Sequence, residues 1–553
     1  MDRSGDRLIS SHSSQIAWRL GWLIAGLVPV IFLSVFFVAP TATLVLRGFH
    51  DETGWTLAGL GHVFGAARTW RIVWFTLSSA TVATLACLAL GIPGAYALYR
   101  IRFRGQSALR VVASVPFVLP TVVVGVAFGV LLDGLGSQGS YAAIIAAMVF
   151  FNYSVIVRTT GTMWARLDRR IPEAAQALGA GPVRSLLTVT LPALGPAIAA
   201  GAALVFLFNS TAFGIVMVLG GSRYSTIETE IWYQTTQLLN LPAAAALSVA
   251  QLVVVALTLA LTNALQRRSR GAAALHEQRP RAMSWASDGF AVGLTGLVVI
   301  GLIAPMAALV VGSLQRRGEF TLANYTDLAS SAGLVVPIPI LNAAWNSLWI
   351  AAVSAAISVT LGSLVSLVAT RRPRSAGARW ALRGIEGLFL LPLGVSAVTL
   401  GFGYLITLNQ PPLDLRSSLI LVPIAQALVA LPLVVRTLMP ALMALDVRQL
   451  EAARTLGSSP WQVLRRIEFP MLARGLGIAV GFAVATSLGE FGATSFLARP
   501  DEPTLPIVIY RLISSPGAHN YQVALAAATV LAGLTATVMA LAESARAKGV
   551  SAW

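Results

Sequence analysis

EAAQALGAGPVRSLLTVTLP, residues 173–192, returns 278 positions later as EAARTLGSSPWQVLRRIEFP, residues 451–470. Glu173-Ala174-Ala175 aligns with Glu451-Ala452-Ala453, Gly179 with Gly457, Pro182 with Pro460 and Pro192 with Pro470. Each copy is polar and stands between long apolar runs. Glu451 to Leu456 are good helix formers, and Gly457 suits the left-handed position that ends a helix. Ser458-Ser459-Pro460 then offers an N-cap and a first-turn proline for a following helix. The first copy repeats this with Gly179, Ala180-Gly181 and Pro182, and Pro172 before Glu173 adds a helix start with an acid in its first turn. The spacing predicts, twice over, a short helix, a tight turn and a second helix that enters an apolar run at Pro192 or Pro470.

Composition explains the surroundings. Of the 553 residues 56% are hydrophobic and 11% charged, and the mean hydropathy is +0.76. A soluble domain carries about 25% charged residues. This chain has too little polar material to coat a globule in water, so the bilayer is its solvent. The formal net charge of +17 comes from arginines in short clusters between apolar runs. That is a loop signal and not a nucleic-acid surface. One cysteine, Cys87, excludes an intramolecular disulfide, and no Cys/His cluster suggests a metal. The run 21–46 exceeds a signal-peptide core and reads as an uncleaved first span.

Six stretches in the first half reach spanning length: 21–46, 72–99, 111–132, 142–157, 194–220 and 241–265. Six more follow: 290–314, 342–370, 387–408, 417–435, 475–496 and 523–542. The fourth of each half is short and is expected to continue past its arginine. Alternate loops hold Arg100, Arg102, Arg104 and Arg110, then Arg158, Arg166, Arg169 and Arg170; in the second half they hold Arg371, Arg372 and Arg374, then Arg448, Arg454, Arg465 and Arg466. The positive-inside rule places these loops, both termini and both EAA segments in the cytoplasm.

The duplication extends well beyond the quoted stretch. Leu90-Gly91 corresponds to Leu361-Gly362, Leu119-Pro120 to Leu391-Pro392, Arg158-Thr159 to Arg436-Thr437, Leu167-Asp168 to Leu445-Asp446 and Phe213-Gly214 to Phe491-Gly492. From Arg158 to Gly214 the offset stays at 278. An even number of spans in each half makes these parallel repeats about an axis along the membrane normal. The expected fold is all-α and integral to the membrane: about twelve transmembrane helices in two tandem six-helix repeats, 1–265 and 289–553, joined by a polar linker at 266–288.

The pattern resembles the EAA signature of ABC-importer permeases, in particular those that fuse two six-helix halves in one chain. That resemblance implies the type I importer permease fold. It also implies that the EAA helix docks on an ATP-hydrolysing subunit, with Glu173, Ala174, Ala175 and Gly179, and Glu451, Ala452, Ala453 and Gly457, as coupling residues. Val189 departs from the usual isoleucine, which Ile467 keeps. The implied partners are two copies of a cytoplasmic ATPase holding ATP and Mg, an extracytoplasmic solute-binding protein, a small solute and membrane lipid, with no nucleic acid and no cofactor in this chain. A prokaryotic cytoplasmic membrane is the implied location. The chain cannot be its own motor: its single lysine, Lys548, lies outside any G-x-x-x-x-G-K-[ST] loop.

Cargo leaves fewer marks. Glu490, in Ser487-Leu488-Gly489-Glu490-Phe491-Gly492, is the clearest intramembrane acid. It serves either as an interhelical hydrogen-bond lock or as a lining group on the path. Glu386 reads as snorkelling or pairing with Arg383. Gly220-Gly221 followed by Thr226-Ile227-Glu228 and Trp232, and Phe150-Phe151-Asn152, resemble the thiamine permease branch. The counterpart of the first stretch runs from Thr504 to Tyr510. Its aromatics are expected mostly in an interfacial belt. Phe213, Glu228, Glu490 and Phe491 are the candidate path residues. Thiamine, or a phosphorylated form, is the implied cargo. Ferric-iron permeases share the fused architecture, and Glu490-Phe491-Gly492 also resembles sulfate and molybdate permeases. A self-contained secondary transporter is the alternative class, against which the duplicated polar loops and the few intramembrane acids speak. A membrane enzyme lacks any nucleophile–base or metal constellation.

Overall fold

The computed structural model describes residues 21–22, 24–51, 54–55, 58–133, 139–268, 280–370, 377, 384, 389, 391–409, 414–415, 418–443 and 447–550. In lipid every backbone polar group must be satisfied within its own segment, and helices achieve this. The main helices are α1 (Ile24–Gly48), α2 (Ala67–Tyr99), α3 (Thr121–Asp133), α4 (Tyr141–Arg166), α5 (Arg170–Ala177), α6 (Leu191–Ser210), α7 (Ile227–Thr236) and α8 (Leu241–Arg268). They continue with α9 (Trp285–Ser313), α10 (Ile340–Ala369), α11 (Ala397–Thr407), α12 (Leu421–Met443), α13 (Val447–Thr455), α14 (Phe469–Leu488), α15 (Leu505–Ser514) and α16 (Ala518–Val550). Among the described residues the only strands form three two-residue ladders, one of which pairs Ile101–Arg102 in parallel with Arg281–Ala282.

Nine described helices are long and apolar enough to cross a membrane, and eleven spans result if each of two bent pairs counts as one. The third candidate span is such a pair, Gln106–Val118 and Thr121–Asp133, bent by 108°. The break falls at Leu119, which is extended (φ −70°, ψ 144°) because Pro120 disfavours a helical residue before it. Its counterpart at 387–408 also has a 3₁₀ turn, over Leu391–Gly394, before α11, but there the helix starts after Ser396, whose hydroxyl accepts the Thr399 N–H, and no proline stands at the break. Residues 385–388 and 390, and with them Glu386, lie outside the described residues, as do Arg383 and Leu445-Asp446. The expected span 194–220 is interrupted at Thr211, after which a short helix runs over Gly214–Leu219. The fourth spans do continue past their arginines, α4 to Arg166 and α12 to Met443.

Packing gives two compact units: residues 45–344 with 499–536, and residues 1–44 with 345–498 and 537–553. These do not follow the sequence halves, since each unit includes spans from both. Linker residues 269–279 lie outside the described residues, and Trp285–Asp288 already belong to α9. In the larger unit α2 and α4 share a core that includes Ala83, Leu98, Met148 and Tyr153. A Cβ at Gly161 would collide with the Tyr99 ring, so only glycine permits that approach. Gly91 lies against Ile156 and, in the smaller unit, Gly362 lies against Val434. Ile156 and Val434 are 278 positions apart. The repeat therefore holds at the level of a single small-to-large side-chain fit.

Candidate functional site

Both EAA segments fold as the spacing predicts. In the first, α5 ends with Gly179 at φ +90°, and the Ala180 N–H donates to the Ala175 carbonyl (3.0 Å) and the Gly179 N–H to the Gln176 carbonyl (2.9 Å). This pair of bonds is the Schellman arrangement. The second copy has Gly457 at φ +81° and the corresponding Ser458 N–H to Ala453 carbonyl bond (3.0 Å). Short helices follow over Pro182–Ser185 and Pro460–Val463, then π turns over Leu186–Thr190 and Leu464–Glu468. The π turns keep the offset of 278. Each lies just ahead of a proline, Pro192 or Pro470, whose ring would clash with the carbonyl four residues back in a regular helix. The wider turn relieves that clash.

The chemistry offered by these segments is that of an uncovered docking surface. Glu173, Ala174 and Gly179 are exposed, and so are Glu451, Ala452 and Gly457; Ala175 and Ala453 are half-buried. Leu178 is 90% exposed and Leu456 86% exposed, each directly before its glycine. Val183 and Leu187 in the first copy and Trp461 in the second are exposed as well. Apolar side chains clustered with acids on a solvated turn are the composition of a protein contact.

A polar brace fixes the first segment from behind. The buried Arg100 guanidinium donates to the carbonyls of Trp164 (3.3 Å) and Leu167 (2.9 Å) at the C-terminus of α4, where a cation complements the helix dipole. Burial, reinforced by the nearby Arg169, lowers the Arg100 pKa to about 10. Asp168 accepts the Arg170 N–H (3.0 Å) at the start of α5. The end of the linker is tied to the same place, because Arg281 and Met283 N–H groups donate to the carbonyls of Arg100 (3.1 Å) and Arg102 (3.2 Å). Asp288, fully buried, accepts from Tyr96 Oη (2.8 Å), Arg281 (2.6 Å), the Ser284 N–H (2.8 Å) and Ser287 Oγ (3.1 Å). The Tyr96 ring in turn packs on Trp164 at 5.3 Å. Sequence reading missed this brace, since Asp288 looked like the last residue of a polar linker.

The candidate path residues sit deeper. Glu490 accepts N–H bonds from Ala493 (2.7 Å) and Thr494 (2.9 Å) and a hydroxyl bond from Thr494. Gln426 donates to Thr494 Oγ1 (3.1 Å) and accepts from Ser487. The carboxylate thereby caps the helical turn Thr494–Leu497, and Thr494 links that turn to Gln426 on α12. Phe213 and Phe491 are buried beside Gly214 and Gly492, which press against Thr121-Val122 and Ala397-Val398. Glu228 is fully buried in the first turn of α7. Thr226 and Thr229 form a capping box there, and the Ile227 N–H donates to Thr76 Oγ1 on α2 (3.0 Å). Two positions later Glu230 is held by Arg68 (3.0 Å) and Gln234 (2.7 Å).

Known proteins are similar to this chain. A family model described as "Binding-protein-dependent transport system inner membrane component" matches residues 88–271. The sulfate transport system permease protein CysT of Salmonella typhimurium is 33% identical over 207 residues, which span 75% of that protein and 35% of this chain. The chain belongs to this family of inner membrane components. The permease is also similar over nearly its whole length to the thiamine transport system permease protein ThiP of Escherichia coli, at 26% identity over 90% of this chain and 92% of ThiP. A probable ABC transporter permease protein, y4fN of Sinorhizobium fredii, is 25% identical over 86% of this chain and 87% of its own. The chain is thus a non-catalytic, multi-span permease subunit of an ABC transporter, working with an ATPase and a binding protein.

Proposed function

We propose that this permease imports thiamine, or a phosphorylated form, from an extracytoplasmic binding protein. The full-length similarity to ThiP, spanning both repeats, is the observation that carries the cargo assignment. Two copies of a cytoplasmic ATPase, which hold ATP and Mg, dock on the two EAA segments. Glu173, Ala174, Ala175 and Gly179 receive one copy, and Glu451, Ala452, Ala453 and Gly457 the other. The exposed leucines at 178 and 456 support this reading, because each offers an apolar knob at the tip of a rigid turn. The arginine-rich loops favour a cytoplasmic position for both segments and both termini. ATP binding draws the two ATPases together and moves both handles at once, which switches the bundle between its two access states.

The test is uptake into proteoliposomes holding the permease, its ATPase and its binding protein. Labelled thiamine accumulates only with ATP and the binding protein present. Accumulation of sulfate or ferric iron in place of thiamine refutes the cargo, and the local similarity to CysT makes sulfate the competitor to include. Ion-driven flux by the permease alone refutes the importer reading altogether.

A further inference from the structure

The offset of 278 does not stop at Gly214. It relates α7 (Ile227–Thr236) to α15 (Leu505–Ser514) at both ends. Both helices have ten residues, and both start from an extended threonine, Thr226 (φ −86°, ψ 168°) and Thr504 (φ −81°, ψ 159°). Trp232 and Tyr510 are therefore equivalent positions, each the sixth residue of its helix. They also touch: their ring centroids are 6.1 Å apart with the planes at 85°, and both rings lie in the same compact unit. Residues exchanged by a twofold can meet each other only beside the axis. The local twofold that exchanges α7 and α15 consequently passes between these two rings.

Solutes carried between two repeats cross at the interface of those repeats. Where these two rings touch, a cargo moving along the axis has to part them and take the place of their contact. A flat cation can do so at little cost, because it exchanges an edge-to-face ring contact for two cation–π contacts. The flanking residues favour positive charge from one repeat only. Glu228, one helical turn before Trp232, is fully buried, whereas its counterpart is Pro506. Glu230 is engaged by Arg68 and Gln234, and its counterpart is Val508. The Trp232 indole N–H is buried and has no hydrogen-bond partner among the described residues.

We propose that Trp232 and Tyr510 form an aromatic subsite on the repeat axis that passes the planar, singly charged heteroaromatic ring of an organic cation, with Glu228 as its counter-charge. The proposal rests on the thiamine reading above. Its test uses the same complete complex and measures uptake of thiamine and of a neutral analogue without the thiazolium charge. Trp232→Leu and Tyr510→Leu keep an apolar filling but remove the π-face, and each lowers kcat/KM for thiamine by about thirtyfold, the scale of a desolvated cation–π contact. Trp232→Phe and Tyr510→Phe restore most of it. Glu228→Gln narrows the preference for thiamine over the neutral analogue. In a Cys87→Ala background, Trp232→Cys with Tyr510→Cys is joined by a short cleavable thiol cross-linker, which blocks uptake until it is cleaved. Equal uptake by the Leu and Phe variants, an unchanged preference in Glu228→Gln, or uptake unaffected by the cross-link overturns the subsite while leaving the thiamine importer standing. A wild-type complex that carries a different cargo overturns both.

Discussion

Gly179 and Gly457 give the most direct test of how the EAA helices end. Both have left-handed backbones, at φ +90° and +81°, and a Cβ built on either meets nothing within 4 Å. Substitution by alanine therefore adds no collision, only the backbone penalty of a left-handed L-residue, about 1–2 kcal/mol. That energy corresponds to a factor of about 5–30 in the ratio of formed to unformed turn. Gly179→Ala or Gly457→Ala should lower substrate-stimulated ATP hydrolysis by up to about that factor, as the ATPase engages only the formed turn. Insertion and thermal unfolding of the isolated permease should change little, because the added methyl meets no neighbour at either glycine. Asparagine tolerates this conformation better than alanine, so Gly179→Asn and Gly457→Asn should retain clearly more stimulation. Full stimulation in the alanine variants, or equal loss in the alanine and asparagine variants, would show that the left-handed stop is not what the motor reads.

Other positions give different outcomes. Asp288→Ala removes the acceptor shared by Tyr96, Arg281, Ser284 and Ser287 and should cost about 3 kcal/mol, seen as a lower unfolding midpoint in detergent; an unchanged midpoint would mean water replaces the carboxylate. Glu490→Gln turns one acceptor oxygen into a donor facing N–H groups and should cost about 1–3 kcal/mol of stability. If instead it unfolds like the parent but changes uptake, Glu490 belongs to the path. Gly161→Ala forces a methyl into the Tyr99 ring and should destabilise the α2–α4 contact by about 1–3 kcal/mol, with Tyr99→Leu in the same chain recovering part of the loss.

Much of this architecture was legible because its signals are local. The EAA turns follow from Gly179, Pro182 and their counterparts, and the helices follow from apolar length. The kink at Leu119 was written in Pro120, but a hydropathy run conceals it because residues 111–118 and 121–132, on either side of it, are both apolar. The interruption at Thr211 is hidden for the same reason. Glu490 could be recognised as a buried acid, yet nothing in its neighbours reveals that its oxygens turn back onto Ala493 and Thr494. The Arg100–Asp288 brace joins residues far apart in sequence through carbonyls and a tyrosine hydroxyl, groups that carry no periodic signature. Trp232 and Tyr510 were visible as belt aromatics; that equivalent positions of the two repeats touch each other was not.

The π turns at Leu186–Thr190 and Leu464–Glu468 have a mechanical meaning. Each is closed by a bond five residues back, from the Leu191 N–H to the Leu186 carbonyl and from the Phe469 N–H to the Leu464 carbonyl. One residue is thus added to the winding between handle and span. Its removal from either copy would rotate the handle about the helix by about 100° and draw it in by about 1.5 Å. The extra residue works as a phase setting, fixing the bearing on which a push arrives at the membrane. Because both halves carry it at the same offset, a deletion in one alone would leave the two handles pointing out of step.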